Sequence, residues 1–188
     1  MTAIPADEGA PADNPDELFD LVDERDRVIG AVRRGDAHRD PSLIHRSVQI
    51  LVTDGDGRIL LQLRSARKDL FPGYYCASAS GHVMAGETYD TTAGREIVEE
   101  LGVAPPLRGL GLALVRSAFE TEMTALYLAR HDGPFQFHPT ETDGGRFFTL
   151  EELRATRAWL PMTPALLAAL NELERLLADG DLTLPPEA

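Results

Sequence analysis

The stretch from Gly81 to Val103, GHVMAGETYDTTAGREIVEELGV, constrains this chain more than any other. At about 100° of rotation per helical residue, a helix from Thr88 to Leu101 brings Glu96, Glu99 and Glu100 into an arc of about 100° on one face. Ala93, Ile97 and Leu101 then form an apolar stripe beside them for the core. Each like-charged pair three or four residues apart costs such a helix about 0.2–0.5 kcal/mol. An acidic run alone is most often a solvated helix face. Here a glycine-bounded loop, Gly81 to Glu87, precedes the helix, Thr88 is placed to cap it, and Gly102 is placed to end it in the left-handed conformation. Three carboxylates held at one point suit a hard divalent cation, magnesium or manganese, bound through oxygen. On this reading the carboxylates point away from the core.

Composition narrows what such a site can serve. The 188 residues are 43% hydrophobic, enough for one domain with a buried core. A net charge of −13, from 31 acidic and 18 basic residues, argues against a nucleic-acid polymer or an anionic membrane as partner, because both call for basic surfaces. The single cysteine, Cys76, excludes an internal disulfide and suits a reducing cytosol. No run approaches the ~20 apolar residues of a membrane span. Residues 1–16 are acidic and proline-rich with no apolar leader segment, and read as a disordered tail. Residues 17–180 read as the domain and 181–188 as a C-terminal tail, in a cytoplasmic protein acting on a small molecule.

Strand patterns dominate the first half. Leu18 to Asp23 and Val28 to Val32 flank a turn at Glu24 to Arg27, and Ser47 to Val52 and Ile59 to Leu63 flank Asp54-Gly55-Asp56-Gly57, giving two expected hairpins. Tyr74 to Ser80 reads as one strand running into Gly81. Further strands are expected at Leu110 to Val115, Glu122 to Ala129 and Arg146 to Phe148, followed by helices starting at Thr149 and spanning Thr163 to Ala178. The sum is α/β: a mixed β-sheet with helices on both faces.

The spacing Gly-x5-Glu-x7-Arg-Glu-U-x-Glu-Glu-x-Gly-U, with U apolar, is met at Gly81, Glu87, Arg95, Glu96, Ile97, Glu99, Glu100, Gly102 and Val103. At roughly 7% per specified residue, a chance match in a chain this long is on the order of 10⁻⁷. This segment resembles the box of the Nudix hydrolases, and the resemblance extends from about Leu18 to Leu177. It implies the Nudix fold, an α/β/α sandwich. It also implies hydrolysis of a diphosphate bond in a small nucleotide-type metabolite, such as a nucleoside di- or triphosphate or a nucleotide sugar. Mg²⁺ or Mn²⁺ would be held by Glu96, Glu99 and Glu100, with Glu99 and Glu100 counted as catalytic. Arg95 is expected to hold a glutamate of the helix rather than substrate. Glu87 braces the loop, and Gly81 and Gly102 are structural. The general base is sought outside the box, at Glu122 or Glu141. Arg64 and Lys68, just before Phe71-Pro72-Gly73, stand where relatives contact diphosphate, and Phe71, Pro72 and Tyr74 either pack the core or stack a base, with the core as the expectation.

Outside the box the chain is similar to one unusual Nudix branch, isopentenyl-diphosphate isomerase. The similarity lies in LVDERDRVIG, His38 and His45 seven apart, SARKDLFPGYY, His82 directly after Gly81, and Glu120 with Glu122. It implies a second metal held by His38, His45, His82, Glu120 and Glu122, a ligand set suited to manganese, zinc or iron. It also places Trp159 near an aromatic that faces a carbocation in the isomerase. Three features oppose isomerisation. Ser80 stands where the isomerase has its proton-transferring cysteine, and a hydroxyl is a poor acid–base at neutral pH. Cys76, about 13 Å away along a strand, does not replace it. No tyrosine lies between Val103 and Glu120, and the box is intact where the isomerase's is degraded. Hydrolysis is the expected reaction and isomerisation the alternative. A non-catalytic nucleotide-binding sensor comes third, disfavoured because all three glutamates are retained. The sequence leaves open whether the chain forms a homodimer.

Overall fold

The computed structural model describes residues 14–68, 70–138 and 140–184. Along them run β1 (Leu18–Val22), β2 (Val28–Arg33), α1 (Arg34–Ala37), β3 (Ile44–Thr53), β4 (Ile59–Arg64), β5 (Tyr75–Cys76), β6 (Ala79–His82), α2 (Tyr89–Leu101), β7 (Arg108–Arg116), β8 (Thr121–Arg130), β9 (Thr142–Phe148), α3 (Leu150–Thr156) and α4 (Pro164–Asp179). The sheet is organised around β3. Along one edge this strand pairs antiparallel with β1 through Ile44 and His45, with β6 from Ser47 to Ile50, and with β4 through Val52 and Thr53. It also runs parallel to β8 over its whole length, from Ile44 beside Thr121 to Thr53 beside Arg130. β7 continues the sheet beyond β8, and β9 and β5 extend it from β4.

Because successive strand residues face opposite sides, the buried strands supply two cores. Val48, Ile50 and Val52 meet Ala93, Ile97 and Leu101 of α2, whereas Leu51, Ile59, Leu61 and Leu126 meet Leu166, Leu170 and Leu173 of α4. Helices therefore cover both faces of a mixed sheet, as the sequence pattern implied. The caps also follow the residues. Thr88 accepts from the Thr91 N–H, Gly102 ends α2 at φ 69°, and Thr149 with Glu152 forms a reciprocal capping box.

The structure corrects two expectations about strands. The second hairpin is paired only at Val52 with Leu60 and Thr53 with Ile59, after which its arms part. Tyr74 to Ser80 is not one strand but two short ones, β5 on β4 and β6 on β3. Ser78 sits at the fork: its hydroxyl accepts from the Val52 N–H at 2.7 Å and donates to the Leu60 carbonyl at 2.5 Å, satisfying backbone groups that the diverging ladder leaves behind. The short helix α1 was not anticipated.

The expected tails fall mainly in residues 1–13 and 185–188, outside the described residues. Their described ends are attached: the Pro15 carbonyl accepts from the Gly35 N–H at 3.0 Å, and Leu182 is buried against the α4 core. Among the described residues no helix is long and apolar enough to cross a membrane.

Candidate active site

Two clusters of ligand-type side chains flank β6. The first is the acidic helix α2. Arg95 holds three carboxylates at once, with Nη1 2.7 Å from Glu96 and 3.1 Å from Glu99 and Nη2 3.3 Å from Glu87, extending the single pairing expected for it. Glu87 also accepts from the Thr92 hydroxyl at 2.8 Å and the Met84 N–H at 3.3 Å, so it ties the loop to the first turn of α2. Burial works against its charge, but these hydrogen bonds and Arg95 outweigh it and keep its pKa low.

The expectation that all three box carboxylates point away from the core is corrected. Glu99 does face solvent, with 55% of its side chain exposed, but Glu96 keeps only 13% and Glu100 is buried. The cause is the close approach of α2 to β6: a Cβ added at Gly81 would overlap the Glu96 carboxyl, so glycine is what makes room for that ligand. Glu100 reaches under the strand, accepting from the Ser80 N–H at 3.0 Å and from Gln62 Nε2 at 2.7 Å. Burial, opposed by Arg95, raises Glu96 to about 7; burial, opposed by the Ser80 hydrogen bond, raises Glu100 to about 8. These are carboxyls that a cation would convert to ligands by compensating their charge.

The second cluster joins five residues that lie far apart in sequence. His38 ends α1, His45 opens β3, His82 ends β6, Glu120 precedes β8 and Glu122 lies on it opposite His45. His38 Nε2 is 3.3 Å from His82 Nε2 and 3.3 Å from Glu120 Oε2, and His45 Nε2 is 4.0 Å from the same carboxylate oxygen. One ligand atom from each of His38, His45, His82 and Glu120 falls within 4.8 Å of the others. Glu122 stands at the edge of this group, 3.6 Å from His82. Phe19 stacks on His82 and His45, at ring distances of 4.7 and 5.3 Å. Burial first, then the positive charge of Arg34, pushes His82 well below its ordinary pKa, and burial brings His45 down to about 4. Both rings are therefore neutral near pH 7, with lone pairs available. His45 Nε2 is buried without a hydrogen-bond partner. An orphaned imidazole nitrogen aimed at other nitrogens and a carboxylate fits a transition-metal ion of the manganese, zinc or iron type.

Beside this second cluster lies a cavity. Arg34, Arg64, His38, His82, Glu120 and Glu122 contribute its charged and imidazole lining, Ser117 and Thr163 two hydroxyls, and Leu70, Phe71, Val115, Pro164 and Ala165 its apolar lining. The box glutamates do not line it, nor do Lys68 and Glu141, which pair with each other at 2.7 Å. The two clusters are nevertheless electrostatically continuous. The charge of Glu141 contributes to raising both Glu96 and Glu100, and that of Lys68 to lowering His82.

Other sequence expectations change. Phe71 and Tyr74 are not core residues but sit half-buried and exposed, respectively, and Pro72 is exposed. Trp159 is 69% exposed and lines no part of the cavity. Cys76 is buried with its thiol against the Gln62 carbonyl, and burial pushes it up to about 12. Sequence reasoning missed Arg34 and Gln62. Arg34, whose Nη1 lies 3.1 Å from His82 Nδ1, looked like one of two adjacent surface arginines. Gln62 did leave a signal, as the one polar residue within the apolar run Ile59 to Leu63.

Known proteins supply the context for this geometry. The NUDIX domain family model matches residues 43–168, taking in the whole acidic helix, His45, His82, Glu120 and Glu122. The chain belongs to the Nudix family. It is 35% identical over 160 residues to an uncharacterised Nudix hydrolase of Pseudomonas aeruginosa, covering 82% of this chain and 92% of that protein. It is also 35% identical over 148 residues to an isopentenyl-diphosphate Delta-isomerase of Nocardia farcinica, covering 76% of this chain and 85% of that one. The crystal structure of a Deinococcus radiodurans protein matches it with a TM-score of 0.72 at 29% identity, over 82% of this chain and 98% of that one. The mixed sheet between helices is thus the Nudix fold, and the chain is an enzyme of the Nudix hydrolase family with similarity to its isomerase branch.

Proposed function

We propose that this Nudix enzyme hydrolyses a diphosphate bond in a small nucleotide-type metabolite, a nucleoside di- or triphosphate or a nucleotide sugar, with Mg²⁺ or Mn²⁺ on Glu96, Glu99 and Glu100. The observation that carries this reading is the complete carboxylate helix, with Arg95 spanning Glu87, Glu96 and Glu99 and with Glu100 fixed by Ser80 and Gln62. When bound, the cation neutralises phosphate charge and lowers the pKa of a bound water. Arg64 and Arg34, both on the cavity wall, supply fixed positive charge for the diphosphate. Lys68 holds Glu141 in place at 2.7 Å, and the charge of Glu141 acts on the box carboxyls Glu96 and Glu100, so Glu141 is the better placed of the two base candidates for chemistry at the helix. Glu122 serves the histidine cluster. That cluster would hold a second ion through His38, His45, His82 and Glu120, with Glu122 beside it. The acidic surface favours a small-molecule substrate over a nucleic-acid polymer or a membrane, and the lone buried Cys76 suits the cytosol.

Isomerisation of isopentenyl diphosphate is the second reading, favoured by the cavity's position at the histidine cluster rather than at the box. The test is incubation with Mg²⁺ or Mn²⁺ and a panel of nucleoside di- and triphosphates, nucleotide sugars, dinucleoside polyphosphates and isopentenyl diphosphate, following phosphate release and isomer formation together. Metal-dependent phosphate release from one class supports hydrolysis and names the substrate class. Isomer formation without phosphate release overturns it.

A further inference from the structure

Two loops deliver polar groups to the cavity, and both also carry aromatic rings. Arg64 leads into the loop bearing Phe71 and Tyr74, and Glu120 directly follows Phe119. The rings meet across the space between the loops: Phe71 is 5.5 Å from Tyr74 and 5.9 Å, edge-on, from Phe119. Phe71 lines the cavity, while Tyr74 and Phe119 remain 37% and 50% exposed. Phe71 also holds a left-handed backbone conformation, φ 54°, which is rare for a bulky residue and concentrates at ligand sites. Large rings gain most by burial. Here three of them, one on a strained backbone, are left partly in water beside a cavity that contains two arginines and a ligand cluster.

We propose that Phe119, Phe71 and Tyr74 form the base-binding rim of the substrate site, on which a nucleobase stacks while its diphosphate lies toward Arg34 and Arg64. The proposal rests on the nucleotide reading above and names the residues that hold the base. An aliphatic group suits this rim less well, because all of its surface is apolar and much of it would stay wet on half-exposed rings. A base has a flat face to stack and polar edges that can remain in water. The apolar cavity residues Leu70, Val115, Pro164 and Ala165 cannot read those edges, and the Ser117 and Thr163 hydroxyls are already engaged with backbone, Ser117 at Glu120 and Thr163 at the Leu166 N–H. Stacking alone tolerates any base. The rim therefore selects nucleoside diphosphates over alkyl and inorganic diphosphates, with little preference among bases.

The test is calorimetric binding of ADP, CDP, isopentenyl diphosphate and inorganic pyrophosphate to the full-length protein, with Ca²⁺ as the cation to suppress turnover. Both nucleotides should bind at least about tenfold more tightly than pyrophosphate. Phe119→Ala should remove most of that advantage while leaving pyrophosphate affinity unchanged, and Phe119→Tyr, which keeps a stacking ring, should retain it. The proposal is overturned if isopentenyl diphosphate or pyrophosphate binds the wild type as tightly as ADP. It is equally overturned if Phe119→Ala leaves the ratio intact or weakens all four ligands alike. Absence of nucleotide hydrolysis with the binding ratio preserved would sink the hydrolase reading and leave the stacking rim standing.

Discussion

Glu96, Glu99 and Glu100 come from five consecutive residues of one helix, whereas His38, His45, His82, Glu120 and Glu122 come from a helix end, three strands and a loop. The helix assembles its ligands by periodicity and concentrates negative charge in doing so. Arg95 offsets part of that charge, but burial first, then the neighbouring carboxylates, raises Glu96 to about 7 and Glu100 to about 8. The histidine cluster is assembled by tertiary structure, and burial keeps His45 and His82 neutral near pH 7. One region must release protons to bind a cation, and the other is ready for an ion at the same pH. On the proposed reading, the comparison sets a carboxylate site suited to a hard ion that works on phosphate against a nitrogen-rich site suited to a more tightly held ion.

The widest separation between the two regions is expected in catalysis. Glu99→Gln and Glu100→Gln should each lower metal-dependent turnover by about a thousandfold or more, the consequence of losing several kcal/mol of charge stabilisation. Circular dichroism and the thermal midpoint should show the fold retained. His38→Ala should cost much less, about 10–100-fold, because the ion proposed for the histidine cluster supports the carboxylate centre from outside it. Equal losses from Glu100→Gln and His38→Ala would mean that the two clusters act as one centre. Near-normal activity in both glutamine variants would remove the helix from the chemistry altogether.

A smaller effect probes how the helix meets the sheet. In Gly81→Ala the new methyl would overlap the Glu96 side chain and not backbone, so the flexible carboxyl moves while the fold stays. Activity should fall about 10–100-fold, as it does when a ligand loses its positioning, and Glu96→Gln should add little further loss on top of it. A full additional loss would show that Glu96 had kept its place.

The contrast also explains what could be read from the sequence. The acidic helix was legible: its span from Thr88 to Gly102, its caps and its buried stripe follow from local residue types and offsets of four. The set of five histidine and glutamate positions was legible only through a family resemblance, because no spacing rule joins residue 38 to residue 122. Burial of Glu96 and Glu100 was not legible, since a helical wheel places residues on a face but does not say how close a neighbouring strand comes. The split of Tyr74 to Ser80 depends on the Ser78 hydroxyl serving two strands that diverge. Phe71 and Tyr74 look like core by composition, and it is loop placement that leaves them at the cavity.

When no metal is present, the box carboxyls and the histidines of the second cluster should pull stability in opposite directions with pH, and Glu122, raised by burial, acts with the box carboxyls. Glu96 and Glu100 have folded pKa values raised above the unfolded 4.5, so the folded state binds more protons and stability falls as pH rises from about 4.5 towards 8. His45 and His82 are lowered from 6.5, so the stability they contribute is full above that pH and is lost as pH falls below it, for His45 towards about 4. The slopes oppose each other below pH 6.5, and above it only the glutamates act, each by at most about 1.4 kcal/mol per pH unit. Urea unfolding in EDTA between pH 5 and 8.5 should therefore show stability declining above about pH 6.5, with Mg²⁺ or Mn²⁺ flattening that decline. Stability that kept rising through pH 8 in EDTA would contradict the buried, protonated state of the box carboxyls.

The smallest expected effect is none. Ser80→Cys restores the thiol that the isomerase branch carries before its Gly-His pair, yet it should yield no allylic isomer from isopentenyl diphosphate. The Ser80 N–H is committed to Glu100, and Ser80 does not line the cavity at the histidine cluster. Cys76 shows how this sheet treats a thiol, with burial raising it to about 12. No tyrosine contributes to the cavity lining among the described residues, so a proton added at one end of the substrate has no phenol to meet it at the other. Proton NMR of the product mixture is the measurement. A detectable allylic isomer would show that the histidine cluster and its cavity are an isomerase site one residue short of function, and would shift the weight of the comparison from the acidic helix to the histidines.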